Sequence, residues 1–313
     1  MRFRIVQCRR EKILLSCIVS TLVAFFCFRP RNRDFKEPYR FTIYYNAVCS
    51  HPNGGFVSGD VLVMVKSTPN HSRHREAIRS TWANPCWTER YKKRYKVLFI
   101  MGTHVGEDHR IVHSHLQLEF HHNRDIVQYD FPDTYKLTTR KLLAAWSFAK
   151  LACPLFRYVL IVDEDFLISP DLLMKTVLQV PEQEYNDYIG GHLYPMSKPY
   201  RNNSSKYYIA REDYPYPVFP PFVAGGFMLT SMPVATRLLD NLVKTQIFLP
   251  LDDVTVGLAL RRIDVKPKHI RNICLHDYNC KHVAHKARIG IHGFSDPQHL
   301  LRDWKRLHLG AAC

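Results

Sequence analysis

The sequence RYVLIVDEDFLIS (Arg157–Ser169) combines an apolar run with a cluster of carboxylates that follows it directly. The run from Tyr158 to Val162 is unbroken and largely β-branched, which is typical of a strand buried on both faces of a parallel or mixed sheet. Asp163, Glu164 and Asp165 come next. Because ligands of open α/β sheets collect at the carboxyl ends of strands, we expect a binding site at this point.

The carboxylate cluster is suited to a hard divalent cation. Asp163 and Asp165 lie two residues apart with no basic residue between them. Carboxylate oxygens are ligands that Mg²⁺ and Mn²⁺ prefer, and these ions keep coordination positions open for a diphosphate. Taken alone, however, the triplet is explained more simply as an acidic turn after a buried strand. The metal interpretation therefore depends on the rest of the chain.

Strand and helix patterns alternate on both sides of this stretch. We predict strands over Gly59–Ser67, Lys96–Gly102, Asp125–Phe131 and Tyr188–Pro195. We predict helices over Arg73–Trp82, His113–His122, Leu137–Leu151, Leu172–Val180, Met232–Gln246 and Asp252–Arg262. The helix before the central strand gives a β-α-β order. The pattern predicts an α/β domain with a mixed sheet flanked by helices.

The composition is that of a globular protein, with 46% hydrophobic and 23% charged residues in a chain of 313. This length fits one large domain or two small ones. The net charge of +16 would suit nucleic acid or an anionic substrate. Part of it is local, because residues 1–40 hold ten Lys or Arg and only three acids. The remainder is sufficient for a nucleotide diphosphate, and we expect no nucleic acid partner.

An apolar, charge-free run, ILLSCIVSTLVAFFCF, occupies residues 13–28 between basic flanks. Its length matches the thinner membranes of the early secretory pathway. A cleaved signal peptide is the alternative, but the bulky end of the run lacks the small residues of a cleavage site. We expect a cytoplasmic tail over residues 1–12, a signal anchor over 13–28, a stem over 29–57 and one lumenal domain over 58–313.

The cysteines and sequons fit a lumenal domain. Six cysteines follow the apolar run: Cys49, Cys86, Cys153, Cys274, Cys280 and Cys313. They allow fifteen full pairings, and only the closeness of Cys274 to Cys280 suggests a particular bridge. No paired CxxC motif is present, which argues against zinc, and the His-rich segment His113–His122 is explained better as a solvated helix. Asn70, Asn202 and Asn203 each begin an N-glycosylation sequon.

Five separated segments resemble, in order, the motifs of the β1,3-galactosyltransferase/N-acetylglucosaminyltransferase family, glycosyltransferase family 31. They are VKSTPNHSRHREAIRSTW (Val65–Trp82), DFPDTYKLTTRKLL with CPLFRYVLIVDEDF (residues 130–166), FPPFVAGGFMLTS (Phe219–Ser231), LDDVTVGLAL (Leu251–Leu260) and IHGFSDPQHLLRDW (Ile291–Trp304). The resemblance implies a GT-A fold, a UDP-sugar donor, Mn²⁺ or another divalent cation, and inversion to a β1,3-linked product. It also implies a type II Golgi membrane protein.

The resemblance assigns roles to individual residues. Asp165 and His292 match the family's metal ligands, while Asp163 and Glu164 would lie nearer the ribose or the metal's water shell. Asp253 matches the catalytic base, with Asp252 as its orienting neighbour or an acceptor contact. Standing alone, Asp252 and Asp253 would be explained as acids at a helix N-terminus, where the helix dipole favours them.

The remaining matches concern donor and acceptor contacts. Uridine and diphosphate contacts are expected from Lys66, Ser67, Arg75 and Arg79. Asp133, Thr139 and Lys141 match a second motif on the donor side. Arg79 could equally serve the fold, and Lys141 could be a surface cation. Gly225 and Gly226 would let the backbone approach the donor sugar or acceptor, although a tight turn is an alternative.

Some positions depart from the family pattern. Glu164 replaces an aspartate, and Phe227 replaces a common third glycine. The departures bear on donor and acceptor preference, while the metal and base positions are kept. The sequence thus predicts an enzyme that transfers a sugar, with galactose favoured over N-acetylglucosamine or N-acetylgalactosamine, to a glycan on a glycoprotein or glycolipid. The alternative is a relative that binds glycans in the lumen without transferring sugar.

Overall fold

The computed structural model describes residues 40–246, 248–276 and 280–307. The strands are β1 (Phe41–Ile43), β2 (Gly59–Lys66), β3 (Tyr95–Thr103), β4 (Ile126–Pro132), β5 (Phe156–Asp163), β6 (Phe166–Ile168), β7 (Ile189–Tyr194), β8 (Phe222–Ser231), β9 (Lys268–His269), β10 (Ile273–Cys274) and β11 (Gly290–His292). The α-helices are α1 (Ser72–Arg79), α2 (Pro85–Arg90), α3 (His109–Asn123), α4 (Thr138–Ala152), α5 (Pro170–Leu178), α6 (Met232–Thr245), α7 (Asp252–Arg262) and α8 (Pro297–Leu307).

The main sheet has eight strands in the order β1-β4-β3-β2-β5-β8-β7-β9. Strands β4, β3, β2 and β5 are parallel, whereas β8 runs antiparallel to both β5 and β7. The register of β2 against β5 pairs Lys66 with Asp163. The last residues of two neighbouring parallel strands are therefore an amine and a carboxylate placed side by side.

A small second sheet, in the order β10-β11-β6, lies against the end of the central strand. Strand β6 begins three residues after β5 ends, and it runs antiparallel to β11. In this pairing His292 is opposite Phe166. The small sheet thus brings a residue from near the end of the chain next to the acidic turn.

Apolar side chains fill both faces of the main sheet. Along β2, Val61, Val63 and Val65 belong to one core, and Leu62 and Met64 belong to the other. All eight residues of β2 are buried, as are most residues of β5. Because neighbouring side chains of a strand point to opposite faces, this burial confirms that both strands are covered on two sides by helices.

The structure confirms the α/β class and a mixed sheet flanked by helices, and each predicted strand and helix has a counterpart within a few residues. It also shows six strands that we did not predict, β1, β6, β8, β9, β10 and β11, of which β8 is the longest. Gly225 and Gly226 lie inside β8, so the alternative that they form a tight turn is wrong. The β-branched residues that usually mark a strand are sparse there, which is why the pattern was missed.

Residues 41–57, which the sequence assigned to a stem, are part of the folded domain. Strand β1 pairs with β4 at the edge of the sheet, and Cys49 is bonded to Cys153. The predicted anchor at residues 13–28 lies outside the described residues. Within the part of the chain that the structure covers, no helix has both the length and the apolar character needed to cross a membrane.

Among cysteine pairs with both members in the described residues, two disulfides close loops of very different size. Cys49–Cys153 spans 104 residues and ties the segment after β1 to the end of α4. Cys274–Cys280 spans six residues and confirms the one bridge suggested by the sequence. A crosslink lowers the entropy of the unfolded chain more when the loop is longer, so the first bridge contributes more to stability.

We predict that replacing Cys49 and Cys153 by serine lowers the free energy of unfolding more than replacing Cys274 and Cys280. Loop entropy gives about 4.7 kcal/mol for a loop of about 100 residues and about 2 kcal/mol for the short one. Denaturant unfolding of both double variants and the parent measures the difference. Equal losses, or a larger loss for the short loop, would contradict the prediction.

Candidate active site

The ammonium group of Lys66 is the centre of the site. Its Nζ lies 2.9 Å from Asp163 Oδ1, 3.0 Å from Asp252 Oδ2 and 3.1 Å from the Gly225 carbonyl oxygen. Burial by itself would lower the pKa of Lys66, but the carboxylates of Asp163 and Asp252 outweigh it and raise that pKa. Lys66 is thus charged at any physiological pH and joins the end of β5 to the start of α7.

Two glycines in β8 make room for these carboxylates. A Cβ atom on Gly225 would lie 2.7 Å from Asp252 Oδ1, and one on Gly226 would lie 3.1 Å from Asp163 Oδ2. The sequence assigned both glycines to close approach of the donor sugar or acceptor. In the structure they admit the side chains of Asp252 and Asp163, while contact with substrate stays a prediction.

Asp253 is the second residue of α7, beside Asp252. Its own Oδ1 accepts a hydrogen bond of 2.8 Å from the Val254 N–H, and its N–H donates to Asp252 Oδ1 at 3.0 Å. Burial, followed by the charge of Asp252, raises the pKa of Asp253 to about 7. A carboxylate with such a pKa can both accept and release a proton near neutral pH.

Asp165 and His292, the two predicted metal ligands, are in contact. His292 Nε2 lies 3.1 Å from Asp165 Oδ2, and the hydrogen bond with Asp165 raises the pKa of His292. The other ring nitrogen, Nδ1, donates to the Leu275 carbonyl oxygen at 3.1 Å. Asp165 Oδ1 is buried without a hydrogen-bond partner. The Leu275 carbonyl thus orients the His292 ring so that Nε2 faces Asp165, whose Oδ1 has no hydrogen-bond partner.

Glu164 points away from this pair and contacts His71 Nδ1 instead. This hydrogen bond raises the pKa of His71, although burial acts in the opposite direction. The second carboxylate oxygen of Glu164, Oε2, is buried and has no hydrogen-bond partner. The three acids of the turn therefore face three different groups: Lys66, His71 and His292.

The two arginines of α1 are engaged inside the protein. Arg75 is fully buried, and its five N–H groups donate to Glu119, Ser67 Oγ and the carbonyl oxygens of Thr68 and Pro69. Arg79 forms ion pairs with Asp125 and Glu119. Direct contact of these arginines with a diphosphate stays a prediction, and the arrangement favours a role in holding the loop after β2.

A second ion pair closes the same side of the site. Lys141 Nζ lies 2.8 Å from Asp133 Oδ1 and donates to the Ser67 carbonyl oxygen at 2.6 Å. Asp133 Oδ2 accepts a hydrogen bond of 2.9 Å from the Gly102 N–H. Lys141 is buried, so the alternative of a surface cation is wrong. Asp133, Lys141 and Ser67 together fix the ends of β2 and β3 relative to α4.

The predicted glycosylation sites lie on the surface: Asn70, Asn202 and Asn203 are all exposed. Sequence reasoning missed two residues near the acids. His71 contacts Glu164, and the only sequence signal was its place three residues before His74. Tyr135 is the second missed residue. Partial burial raises the pKa of its hydroxyl to about 12, together with the charges of Tyr207 and of three acids of the site, Asp252, Asp253 and Asp163.

We predict that Gly225→Ala lowers the free energy of unfolding by about 1–3 kcal/mol, because the new methyl group must displace a carboxylate that Lys66 holds in place. Gly226→Ala is the matched control. Its new methyl group would lie 3.0 Å from Phe166 Cε2 and 3.1 Å from Asp163 Oδ2, longer than the 2.7 Å at Gly225. The lower entropy of an unfolded chain with alanine offsets part of the cost, so the loss should be smaller than for Gly225→Ala. Chemical denaturation measures both. A Gly225→Ala variant as stable as the parent would show that the carboxylate is not held.

Comparison with known proteins agrees with the motifs in the sequence. A family model described as galactosyltransferase matches residues 73–271, more than half of the chain. Lactosylceramide 1,3-N-acetyl-beta-D-glucosaminyltransferase B of Xenopus laevis is 32% identical over 248 residues, covering 77% of this chain and 63% of that protein. UDP-GlcNAc:betaGal beta-1,3-N-acetylglucosaminyltransferase 7 of Mus musculus is 29% identical over 302 residues, covering 91% and 73%.

Among solved structures, a glycosyltransferase involved in glycosylation of the major capsid of PBCV-1 has a TM-score of 0.45 and 10% identity, covering 79% of this chain and 99% of that one. That level of likeness says nothing about function. The chain spans about 63% of the length of the lactosylceramide transferases from Xenopus that it matches. The family match is sufficient for one conclusion: the chain belongs to the galactosyltransferase family, glycosyltransferase family 31.

Proposed function

We propose that this protein is a metal-dependent, inverting glycosyltransferase that moves a sugar from a UDP-sugar to a glycan hydroxyl in β1,3 linkage. The observation that carries the proposal is the contiguous arrangement of its acids. Asp165 contacts His292, Asp163 contacts Lys66, and Lys66 contacts Asp252. Asp253, whose pKa is raised to about 7, follows Asp252 directly. The residues proposed to hold a cation and to accept a proton are therefore linked by contacts, which supports the proposal.

The residues present fit a divalent cation. Asp165 has a buried oxygen without a partner, and His292 donates from Nδ1 to a backbone carbonyl, which leaves Nε2 as the nitrogen available to a metal. These two residues would hold Mn²⁺ or a similar ion. A bound ion of this kind would neutralise negative charge on a departing UDP. Metal binding requires loss of the imidazolium proton from His292, so affinity should fall at low pH.

Asp253 is proposed to take the proton from the acceptor hydroxyl as its oxygen attacks the anomeric carbon. The neighbouring carboxylate of Asp252 is paired with Lys66, and its Oδ1 accepts the Asp253 N–H, which fixes the backbone of the base. Asp252 therefore orients Asp253 and also raises its pKa. A base whose pKa lies near the working pH is effective in general catalysis.

The identity of the transferred sugar is a separate question from the reaction type. The sequence favours galactose, as does the description of the matching family model. The names of the related proteins favour N-acetylglucosamine, and they mention lactosylceramide or β-galactose as acceptors. We propose a UDP-hexose donor, with UDP-galactose and UDP-N-acetylglucosamine as the two candidates, and an acceptor glycan on a glycolipid or glycoprotein. We also propose a type II Golgi membrane protein, on the basis of the apolar run at residues 13–28.

We predict that the full-length protein transfers sugar from one member of a UDP-sugar panel when Mn²⁺ is present, and that EDTA abolishes transfer. Asp165→Asn should lower the rate at least about 100-fold, because the ion loses one of its two proposed protein ligands. Asp303→Asn, a change on the surface helix α8, is the matched control and should keep the parent's rate. Linkage analysis of the product identifies the sugar and bond. Full activity of Asp165→Asn, or activity in EDTA, would overturn the metal assignment.

We predict that kcat/KM rises with pH around an apparent pKa near 7, because Asp253 must be ionised to accept a proton. Saturating Mn²⁺ at each pH separates this effect from protonation of His292. Asp253→Asn should lower kcat by about 10²–10⁴.

The same variant has an opposite effect on stability. Since the pKa of Asp253 is raised in the folded state, its charge costs folding free energy above pH 4 and most fully above pH 7. Asp253→Asn should therefore have a higher Tm than the parent at pH 8, with a smaller difference at pH 5. A normal rate would contradict the role of base. A variant less stable than the parent at pH 8 would contradict the raised pKa of Asp253.

A further inference from the structure

We propose that His71, His74 and Glu164 form a transition-metal site of the zinc class, separate from the site of the donor's cation. One ligand atom from each of these residues lies within 4.8 Å of the other two. Four-coordinate zinc holds its ligands at about 2.0–2.2 Å, which places neighbouring ligand atoms roughly 3.3 Å apart. The three side chains are therefore within reach of a single ion. The proposal goes beyond sugar transfer and does not depend on it.

The two histidines are placed by the start of α1. His71 is the residue before the helix and His74 lies in its first turn, so both side chains are on one side of the loop that follows β2. Their rings stack with centroids 5.1 Å apart. Because His71 and His74 are three residues apart, a single helical turn presents both nitrogens together. Glu164 reaches them from the acidic turn after β5.

His74 has the second contact that metal-binding histidines usually have. Its Nε2 lies 2.8 Å from the Ser295 carbonyl oxygen. A carbonyl oxygen can only accept, so Nε2 carries the hydrogen and Nδ1 of the neutral ring is left with its lone pair. Metal-bound histidines typically donate their other N–H to a carbonyl or carboxylate in this way. The contact also links α1 to the loop after β11.

Glu164 supplies an independent indication of a ligand. One of its oxygens contacts His71, while the other, Oε2, is buried and has no hydrogen-bond partner. A buried carboxylate oxygen without a partner is costly, and a bound cation would remove that cost. The side chain of Glu164 is 13% exposed and that of His71 is 42% exposed, so the cluster has both a buried anion and a route for an ion.

The neighbouring charges do not exclude a cation. Arg75 and Lys141 are the cations that face His71, and each is paired with a carboxylate, Glu119 and Asp133 respectively. The donor set also differs from that of the other site. The two imidazoles and one carboxylate of the His71 cluster suit zinc. Asp165 and His292 supply one carboxylate and one imidazole, which would leave most coordination positions of an ion to water and phosphate. The two sites should thus be distinguishable by metal preference and by mutation.

Equilibrium dialysis of the full-length protein against Zn²⁺, followed by metal analysis, tests the proposal. Two variants alter the proposed zinc site: His74→Ala and the shape-conserving Glu164→Gln. A third, Asp165→Asn, alters the donor's cation site. His113→Ala is the matched control, because His113 is an exposed histidine on α3 bonded only to Gln117 in the described chain. Circular dichroism checks that each variant is folded. Co²⁺ in place of Zn²⁺ gives visible absorption bands that report the ligand geometry.

We expect His74→Ala and Glu164→Gln each to bind one equivalent of Zn²⁺ less than the parent and to lose the Co²⁺ bands. Asp165→Asn and His113→Ala should keep that equivalent of Zn²⁺ and the Co²⁺ bands. Zn²⁺ should also raise the Tm of Asp165→Asn, since an ion bound only by the folded state stabilises it. Zn²⁺ binding that survives His74→Ala and Glu164→Gln would overturn the proposal. So would binding that disappears with Asp165→Asn, because it would then belong to the donor's cation.

Discussion

The ion pairs of Lys66 are the interaction on which the rest of the site depends. One buried ammonium group lies within 3.0 Å of two carboxylates that belong to different parts of the fold, the end of β5 and the start of α7. Without that charge, Asp163 and Asp252 would repel each other in a partly buried position, where Coulomb interactions are stronger than in water. Removing one partner of a buried pair leaves the other uncompensated and typically costs about 3–5 kcal/mol. Lys66 thus allows Asp163 and Asp252, which precede the proposed cation ligand Asp165 and the proposed base Asp253, to lie near one another.

The geometry of the sheet makes this pairing possible. Parallel pairing of β2 with β5 sets Lys66 beside Asp163, and the antiparallel strand β8 brings two glycines next to them. The small sheet then adds His292 from a segment more than 120 residues further along the chain. Each contribution is a backbone register, so a shift of one residue would turn the functional side chain to the other face. The arrangement of the proposed site rests on strand pairing as much as on side-chain chemistry.

The sequence was sufficient for the fold class, because long apolar strands and periodic helices carry strong local signals. Family motifs also pointed to Asp165, His292 and Asp253. The structure brings Asp165 and His292 into contact, while the roles of all three residues stay predictions. The sequence was not sufficient for β8, in which Gly225 and Gly226 interrupt the usual strand composition. Nor could it show that every N–H of Arg75 is used inside the protein, because Glu119 is 44 residues away. The bond between Cys49 and Cys153, and the contact of His71 with Glu164, are likewise products of tertiary structure.

A double-mutant cycle on stability tests most directly whether Lys66 joins the end of β5 to the start of α7. The cycle compares Lys66→Met, Asp252→Asn and the double variant with the parent, using the free energy of unfolding at pH 7.5. Residues in direct contact show coupling energies of about 0.5–3 kcal/mol, and we predict a value above about 1 kcal/mol, with the double variant less destabilised than the sum of the single ones. Effects that add to within about 0.5 kcal/mol would mean that the two side chains act independently, which would contradict the account.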